Sequence, residues 1–296
     1  YKIYQVPEPA GGAILISIMN IMEGYNLTKS LHNDPLTYHR LIEAFKFAYA
    51  QKTRLGDPKY VPDVNNLTNI IITKENALKI RNKINDDKTF DPDHYDPHFP
   101  SQSHGTATVT VQDSEGNMVA VTTTVNTRFG SAVMTNSSIL LNNEMSDFSW
   151  PTQHPQQIFP VSESNYIQPG KRPQSATVPT IVLNSRSPCD RRITLGGNGG
   201  TTITTGIAQI LLDLLSYGNS TKDSIIKPRV HHELIPNKLL VEAKLSKTIV
   251  DELKTKGHNI SIQEPVGNEL MAIMMTNDKI SAYADDRKKG SGAVIF

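Results

Sequence analysis

The chain has 296 residues, with 30 basic against 29 acidic side chains, a formal charge of +1 and 38% hydrophobic content. That length is enough for one large or two smaller domains with a buried core, and a balanced charge with no block of one sign gives no basic surface for nucleic acid. The longest apolar stretch, residues 13–22, is interrupted by Ser17 and Asn20 and is too short to span a bilayer, while a lone Cys189 rules out an internal disulfide and gives no metal-ligand spacing.

The first hundred residues read as helices joined by loops. Ile14, Leu15, Ile18, Met19, Ile21 and Met22 recur at helical spacing, and Gly24 follows as a stop. Asp34-Pro35 supplies an N-cap and a first-turn proline for a longer helix that carries Leu41, Ile42, Phe45 and Ala48 on one side and closes by Gly56 and Pro58. A third helix is expected from Thr73. From Asn85 to Gly105 the sequence turns to Asp86, Asp87, Asp91, Asp93 and Asp96 with Pro92, Pro97 and Pro100, which reads as an exposed linker.

After the linker the period changes to two. Ala107, Val109 and Val111 alternate with Thr106, Thr108 and Thr110, and Ser114-Glu115-Gly116 fits a three-residue hairpin turn before a strand over residues 118–125. Pairing Asp113 with Asn117 places Thr106 opposite Thr124 on one face; a slip of one residue breaks this. Threonine is also common in ordinary strands, so the pattern alone leaves that reading open.

The chemistry suggested by Gly105-Thr106 is self-made. A threonine heading a strand after a polar loop can attack the preceding carbonyl, pass through an ester and emerge with a free α-amine. Hydroxyl and amine on one residue form an activated nucleophile with its own base, because an α-amine titrates near ~7.7–8.0. Further on, Gly196-Gly197-Asn198-Gly199-Gly200 precedes a helix expected over residues 201–215; such a loop turns amides toward an anion or simply permits tight packing. Neither a P-loop nor a strict dinucleotide fingerprint is present. His94, His98 and His104 lie in the linker without a supporting metal-ligand frame. Sequons at Asn26, Asn66, Asn136, Asn219 and Asn259 favour a secretory route, and the chain begins at Tyr1 without an initiator Met, as a fragment or processed product does.

Taken together, Gly105-Thr106, residues 122–126 (TTTVN), Phe129-Gly130-Ser131, residues 141–149 (LNNEMSDFS), residues 167–171 (IQPGK), Pro179-Thr180-Ile181, Gly199-Gly200-Thr201, Pro228-Arg229 and Asp286-Arg287-Lys288 resemble the γ-glutamyltransferases, also called glutathione hydrolases. The resemblance covers residues 106–296 almost without gaps and, more loosely, the helical part before them. It implies an α+β fold, the four-layer αββα sandwich of the N-terminal-nucleophile hydrolases. It also implies a precursor cut between Gly105 and Thr106, giving 1–105 as the C-terminal part of a large subunit and 106–296 as the small catalytic subunit of a heterodimer.

By the same resemblance Thr106 is the nucleophile, Thr124 orients its hydroxyl, and Gly199 and Gly200 offer amides to the tetrahedral oxyanion. Asn126, Glu144 and Asp147 grip the substrate α-amino group, Ser175 holds its α-carboxylate, and residues 150–174 lie where some members carry a loop over the site. The implied substrates are glutathione and other γ-glutamyl compounds, with water, amino acids or dipeptides as acceptors and no metal or organic cofactor. A secreted or cell-surface glycoprotein is the implied setting.

Three features depart from the family pattern. Thr108 stands where His is usual, Ala176 stands where a second carboxylate-binding serine is expected, and the arginine that pairs with the substrate carboxylate falls before Tyr1. Two other readings follow from these residues: a catalytically weakened secreted homologue that binds without turnover, favoured by Thr108 and Ala176, and a self-cleaving acylase of β-lactam side chains, disfavoured by the ammonium-binding set.

Overall fold

A computed structural model describes residues 1–97, 106–149, 162–187, 190–276, 279–287 and 289–295. Gly105, His98, His104, Cys189, Lys288 and residues 150–161 of the expected loop lie outside the described residues.

The N-terminal half is helical, as the periodicity requires. Helix α1 (Gly12–Glu23) is capped by Gly24, and α2 (Pro35–Lys52) starts where Asp34 Oδ2 accepts the Thr37 amide at 2.7 Å. The second helix ends at Lys52, earlier than the expected closure at Gly56 and Pro58, because Thr53 Oγ1 bonds back to the Ala50 carbonyl. Two short helices follow. α3 (Val64–Ile71) was hidden by its asparagines, and α4 (Lys74–Arg81) is capped by Thr73 as expected.

The reading of residues 85–105 as an exposed linker is corrected for its first part. Tyr95 is buried, its hydroxyl donates to Glu43 Oε2 at 2.7 Å, and Thr89 Oγ1 donates to Glu43 Oε1 at 2.6 Å. Aspartates and prolines flank those anchors, so composition hid the docking.

Five strands form the main sheet in the order β1 (Lys2–Tyr4), β4 (Thr180–Leu183), β5 (Arg191–Asn198), β9 (Glu269–Thr276), β10 (Lys279–Ala284), all antiparallel. β5 is buried on both faces. Ile193 and Leu195 belong to the hydrophobic core with Ile207 and Ile210 of α5 (Thr202–Leu212). Gly196 points the other way, where an added Cβ would lie 2.1 Å from Thr108 Cγ2. That second face carries the hairpin β2 (Ala107–Gln112) and β3 (Met118–Thr123), which packs on β5 and more lightly on β4 and β9.

The hairpin is in the expected register, with Ala107 opposite Thr123 and Asp113 N–H donating to the Asn117 carbonyl at 3.1 Å. Gly116 takes φ +85° in the turn, the left-handed conformation that position needs. Its threonine face turns inward. Val109, Val111, Val119 and Val121 face outward and are half exposed or more. The described residues therefore supply three layers of an αββα sandwich, helix, sheet and hairpin, with an apolar outer face left where the fourth sits in that architecture.

A smaller sheet of β6 (Val230–His231), β7 (Leu239–Glu242) and β8 (Ile260–Gln263), with α6 (Thr221–Ile226) and α7 (Lys247–Thr255), closes the far end. No described helix is long and apolar enough to cross a membrane.

Candidate active site

Where the hairpin opens beside the end of β5, a cleft of about 750 Å³ is lined by Thr106, Thr124, Asn198 and Gly199. Two independent pieces of chain structure bring these together. The hairpin register, continued one step past Ala107 and Thr123, sets Thr106 across from Thr124 on the inward face. β5 ends at Asn198, and the turn into α5 takes Gly199 to φ +125° and Gly200 to φ +65°. Only glycine fits the first position, since a Cβ there would lie 2.2 Å from the Gly267 carbonyl oxygen.

The turn is locked from its own helix. Thr202 Oγ1 donates to the Gly199 carbonyl at 2.8 Å, and Ile203 N–H donates to the Gly200 carbonyl at 3.1 Å. Both glycine carbonyls are thus occupied, while neither glycine N–H donates to another backbone group among the described residues. Two amides without a backbone acceptor at a helix N-terminus, beside a threonine hydroxyl, suit a developing negative charge. Gly199 lines the cleft directly; Gly200 is buried behind it.

Thr124 links the nucleophile face to the polar pocket beyond. Its Oγ1 accepts the Asn126 amide at 2.8 Å, and it neighbours the Glu144 carboxyl closely enough to draw that group's pKa down. Asn126 is 1% exposed and takes φ +70°, a left-handed conformation that asparagine tolerates, which swings its Nδ2 onto Ser146 Oγ at 2.6 Å and the Asn143 carbonyl at 3.3 Å. Among the described residues its Oδ1 has no partner, and neither does Glu144 Oε1.

Glu144 and Asp147 open and close one 3₁₀ turn (Glu144–Asp147). Burial pushes the Glu144 carboxyl up, opposed by the neighbouring Asp147 and Thr124 side chains. A buried Asp147 carboxyl, a half-buried Glu144 carboxyl and the Asn126 amide oxygen make a polar pocket with the chemistry to accept a cation.

Ser175 stands apart from this constellation. It does not line the cleft; its hydroxyl donates to Thr177 Oγ1 at 3.1 Å and accepts the Thr177 amide. Ala176 is buried and its carbonyl accepts Thr204 Oγ1 at 3.2 Å. Sequence reasoning passed over Asn198, whose buried Oδ1 has no partner, as well as Glu269, Arg128 and Lys289, all of which line the cleft. The pairing of Asn198 with Glu269 across β5 and β9 explains two of them, and a long-range pairing leaves no local signal. Arg287, already part of a resemblance motif, also lines the cleft, anchored by Glu242 and Asp285.

Away from the cleft, His39, Glu43 and His258 bring three possible metal-ligand atoms within 4.8 Å of one another. The donor set does not call for an ion. His39 Nε2 donates to the Asn85 carbonyl at 2.7 Å, its Nδ1 accepts from His258 Nε2 at 2.8 Å, both Glu43 oxygens accept hydroxyls, and Lys46 Nζ lies 3.8 Å away. His94 stacks on Phe90 at 3.9 Å. Of the sequon asparagines, Asn26, Asn66, Asn136 and Asn259 are exposed. Asn219 is half-buried, with Nδ2 donating to Asp213 Oδ1 at 3.3 Å and lying 2.7 Å from His32 Nε2.

Residues 1–295 match the sequence model of the family described as Gamma-glutamyltranspeptidase. The chain belongs to the γ-glutamyltranspeptidase family. It is 37% identical over 298 residues to Scoloptoxin SSD14 of Scolopendra dehaani, a match covering 98% of this chain and 51% of that protein. It is 38% identical over 247 residues to Glutathione hydrolase 2 of Arabidopsis thaliana, covering 82% of this chain and 42% of the relative. The chain thus spans about half the length of the curated relatives it matches. Among solved structures it is similar to γ-glutamyltranspeptidase from Pseudomonas nitroreducens, with TM-score 0.55 and 30% identity over 66% of this chain and 100% of that one. The cephalosporin acylase from Bacillus halodurans, at TM-score 0.77 and 20% identity over 98% of this chain and 50% of that one, shares the fold. The chain accordingly has the α+β architecture of the N-terminal-nucleophile hydrolases.

Proposed function

We propose that the protein carrying this chain is a γ-glutamyl acyltransferase and glutathione hydrolase with Thr106 as its nucleophile. The observation that carries the reading is the junction at Thr124. It joins a cleft holding Thr106 and Gly199 to the Asn126, Glu144 and Asp147 pocket, where Asn126 Oδ1 and Glu144 Oε1 have no partner among the described residues and can accept an ammonium. A γ-glutamyl group has that ammonium at one end and a scissile γ-carbonyl at the other. Relatives named glutathione hydrolase support the same substrate class.

In the maturation step Thr106 Oγ attacks the Gly105 carbonyl, the peptide nitrogen leaves as the Thr106 α-amine, and water hydrolyses the resulting ester. In turnover that amine accepts the hydroxyl proton as Oγ attacks the γ-carbonyl. Gly199 and Gly200 amides stabilise the oxyanion, and the proton passes to the departing amine, cysteinylglycine when the substrate is glutathione. Water or the amine of an amino acid or dipeptide then takes the glutamyl group from the ester. The cut yields a heterodimer of two subunits, a maturation in keeping with a relative named proenzyme. The exposed sequons support a secreted or cell-surface setting.

The test is turnover of a γ-glutamyl anilide by the purified full-length protein, with the acyl-enzyme trapped and located by peptide mass spectrometry. The expected result is anilide release and a glutamyl adduct on the peptide that begins at Thr106. Release without an adduct there, or binding without release, overturns the proposal, and the second outcome is the signature of the binding-only homologue.

A further inference from the structure

The inward threonine face does more than present the nucleophile. Two residues after Thr106, Thr108 Oγ1 donates to the Gly197 carbonyl at 2.7 Å and pairs with Thr122 Oγ1 at 3.1 Å, in a buried position between the hairpin and β5. Its methyl lies against bare Gly196 backbone, in space that a Cβ at Gly196 would occupy. Gly197 is only two residues before Gly199. A single side chain therefore ties the strand that carries the nucleophile to the strand that ends in the oxyanion turn.

We propose that Thr108 is a positioning residue that sets the distance between the Thr106 hydroxyl and the Gly199 amide. The inference rests on the assignment of Thr106 as nucleophile and adds to it the element that fixes its register in depth. Strand pairing cannot do this, because it fixes β2 against β3 and not the hairpin against β5; contact between those layers is made by side chains. Thr108 supplies a directional bond where packing alone allows sliding. Gly196 and Gly197 give the close backbone approach that makes the bond possible. A misplacement of about an ångström between nucleophile and oxyanion donors is enough to cost a large factor in rate.

The experiment compares Thr108→Val, Thr108→Cys and Thr108→Ser in the full-length protein, with kcat and KM for a γ-glutamyl anilide expressed per mole of cleaved chain. Wild-type turnover is measured first; its absence refutes the nucleophile assignment and not this coupling. Valine keeps the shape and removes the donor, and cysteine keeps the size with a weak donor. The expected result is a fall in kcat of about tenfold for valine and a smaller fall for cysteine, with KM little changed, since one hydrogen bond is lost. Serine is expected to restore kcat close to wild type. A purely structural role predicts lower thermal stability with kcat intact, and that result overturns the proposal. So does equal impairment by serine and cysteine. Should valine fail to fold, the cysteine and serine pair decides by itself.

Discussion

Asp147 and Glu144 share one short turn with Asn126 close by, and all three were singled out through the family resemblance. What the sequence could not reveal is the wiring among them. Thr124 accepts the Asn126 amide and neighbours Glu144, so a residue expected to serve the nucleophile also braces the polar pocket. Asp147→Ala is therefore expected to raise KM for a γ-glutamyl anilide by roughly 10–100-fold, the range of one or two charge-assisted hydrogen bonds, with a smaller effect on kcat. Steady-state kinetics check this, and an unchanged KM removes Asp147 from substrate recognition. Gly199→Ala is a sharper case. At φ +125°, with the Gly267 carbonyl 2.2 Å from the new Cβ, the turn must move, and kcat is expected to fall by about 10²-fold or more. Retention of near wild-type kcat in that variant means the oxyanion is stabilised elsewhere.

At the scale of elements, legibility followed the locality of the signal. The Asp34 cap, the Thr73 cap and the Gly116 turn are short-range features, and the structure places all three where the sequence put them. The α3 helix was missed because its stability comes from Val64 and Ile71 docking into the core, not from its asparagine-rich surface. Residues 89–95 were misread for the same reason, since Tyr95 and Thr89 are held by Glu43 of α2. Asp34→Ala is expected to lower stability by about 1 kcal/mol through loss of the Thr37 amide bond, read as a lower midpoint in urea with unchanged slope. A midpoint equal to wild type shows that tertiary packing alone fixes the start of α2.

For the whole molecule, the sheets and helices enclose charges that composition conceals. Arg229 and Asp285 are both buried and bonded at 2.7 Å, and Asp285 also meets Arg287, which reaches Glu242 at 2.6 Å. This network joins α6, β7 and the segment after β10 behind the cleft. Burial also holds His39, His231 and His258 below the ordinary imidazole range, His231 and His258 to about 3. An unfolded chain takes up protons on these residues as pH falls through about 6.5, whereas folded His231 and His258 do not until near 3 and His39 is likewise held lower. Their neutral burial stabilises the fold fully above pH ~6.5 and progressively less below it. Denaturant midpoints measured from pH 7.5 down to 4.5 are expected to fall steadily, and a midpoint that stays level across that range contradicts the neutral assignment. The layered architecture itself was legible from the family resemblance. The outward valines of the hairpin were not, because period-two alternation shows that two faces differ without saying which is covered.

The central claim is that Thr106 becomes an N-terminal nucleophile. N-terminal sequencing with intact mass on the purified full-length protein tests it most directly. The account predicts two fragments, the smaller beginning at Thr106, and a single uncut chain when Thr106 is replaced by alanine. A wild-type chain that remains whole, or an alanine variant that still separates at Gly105, contradicts it.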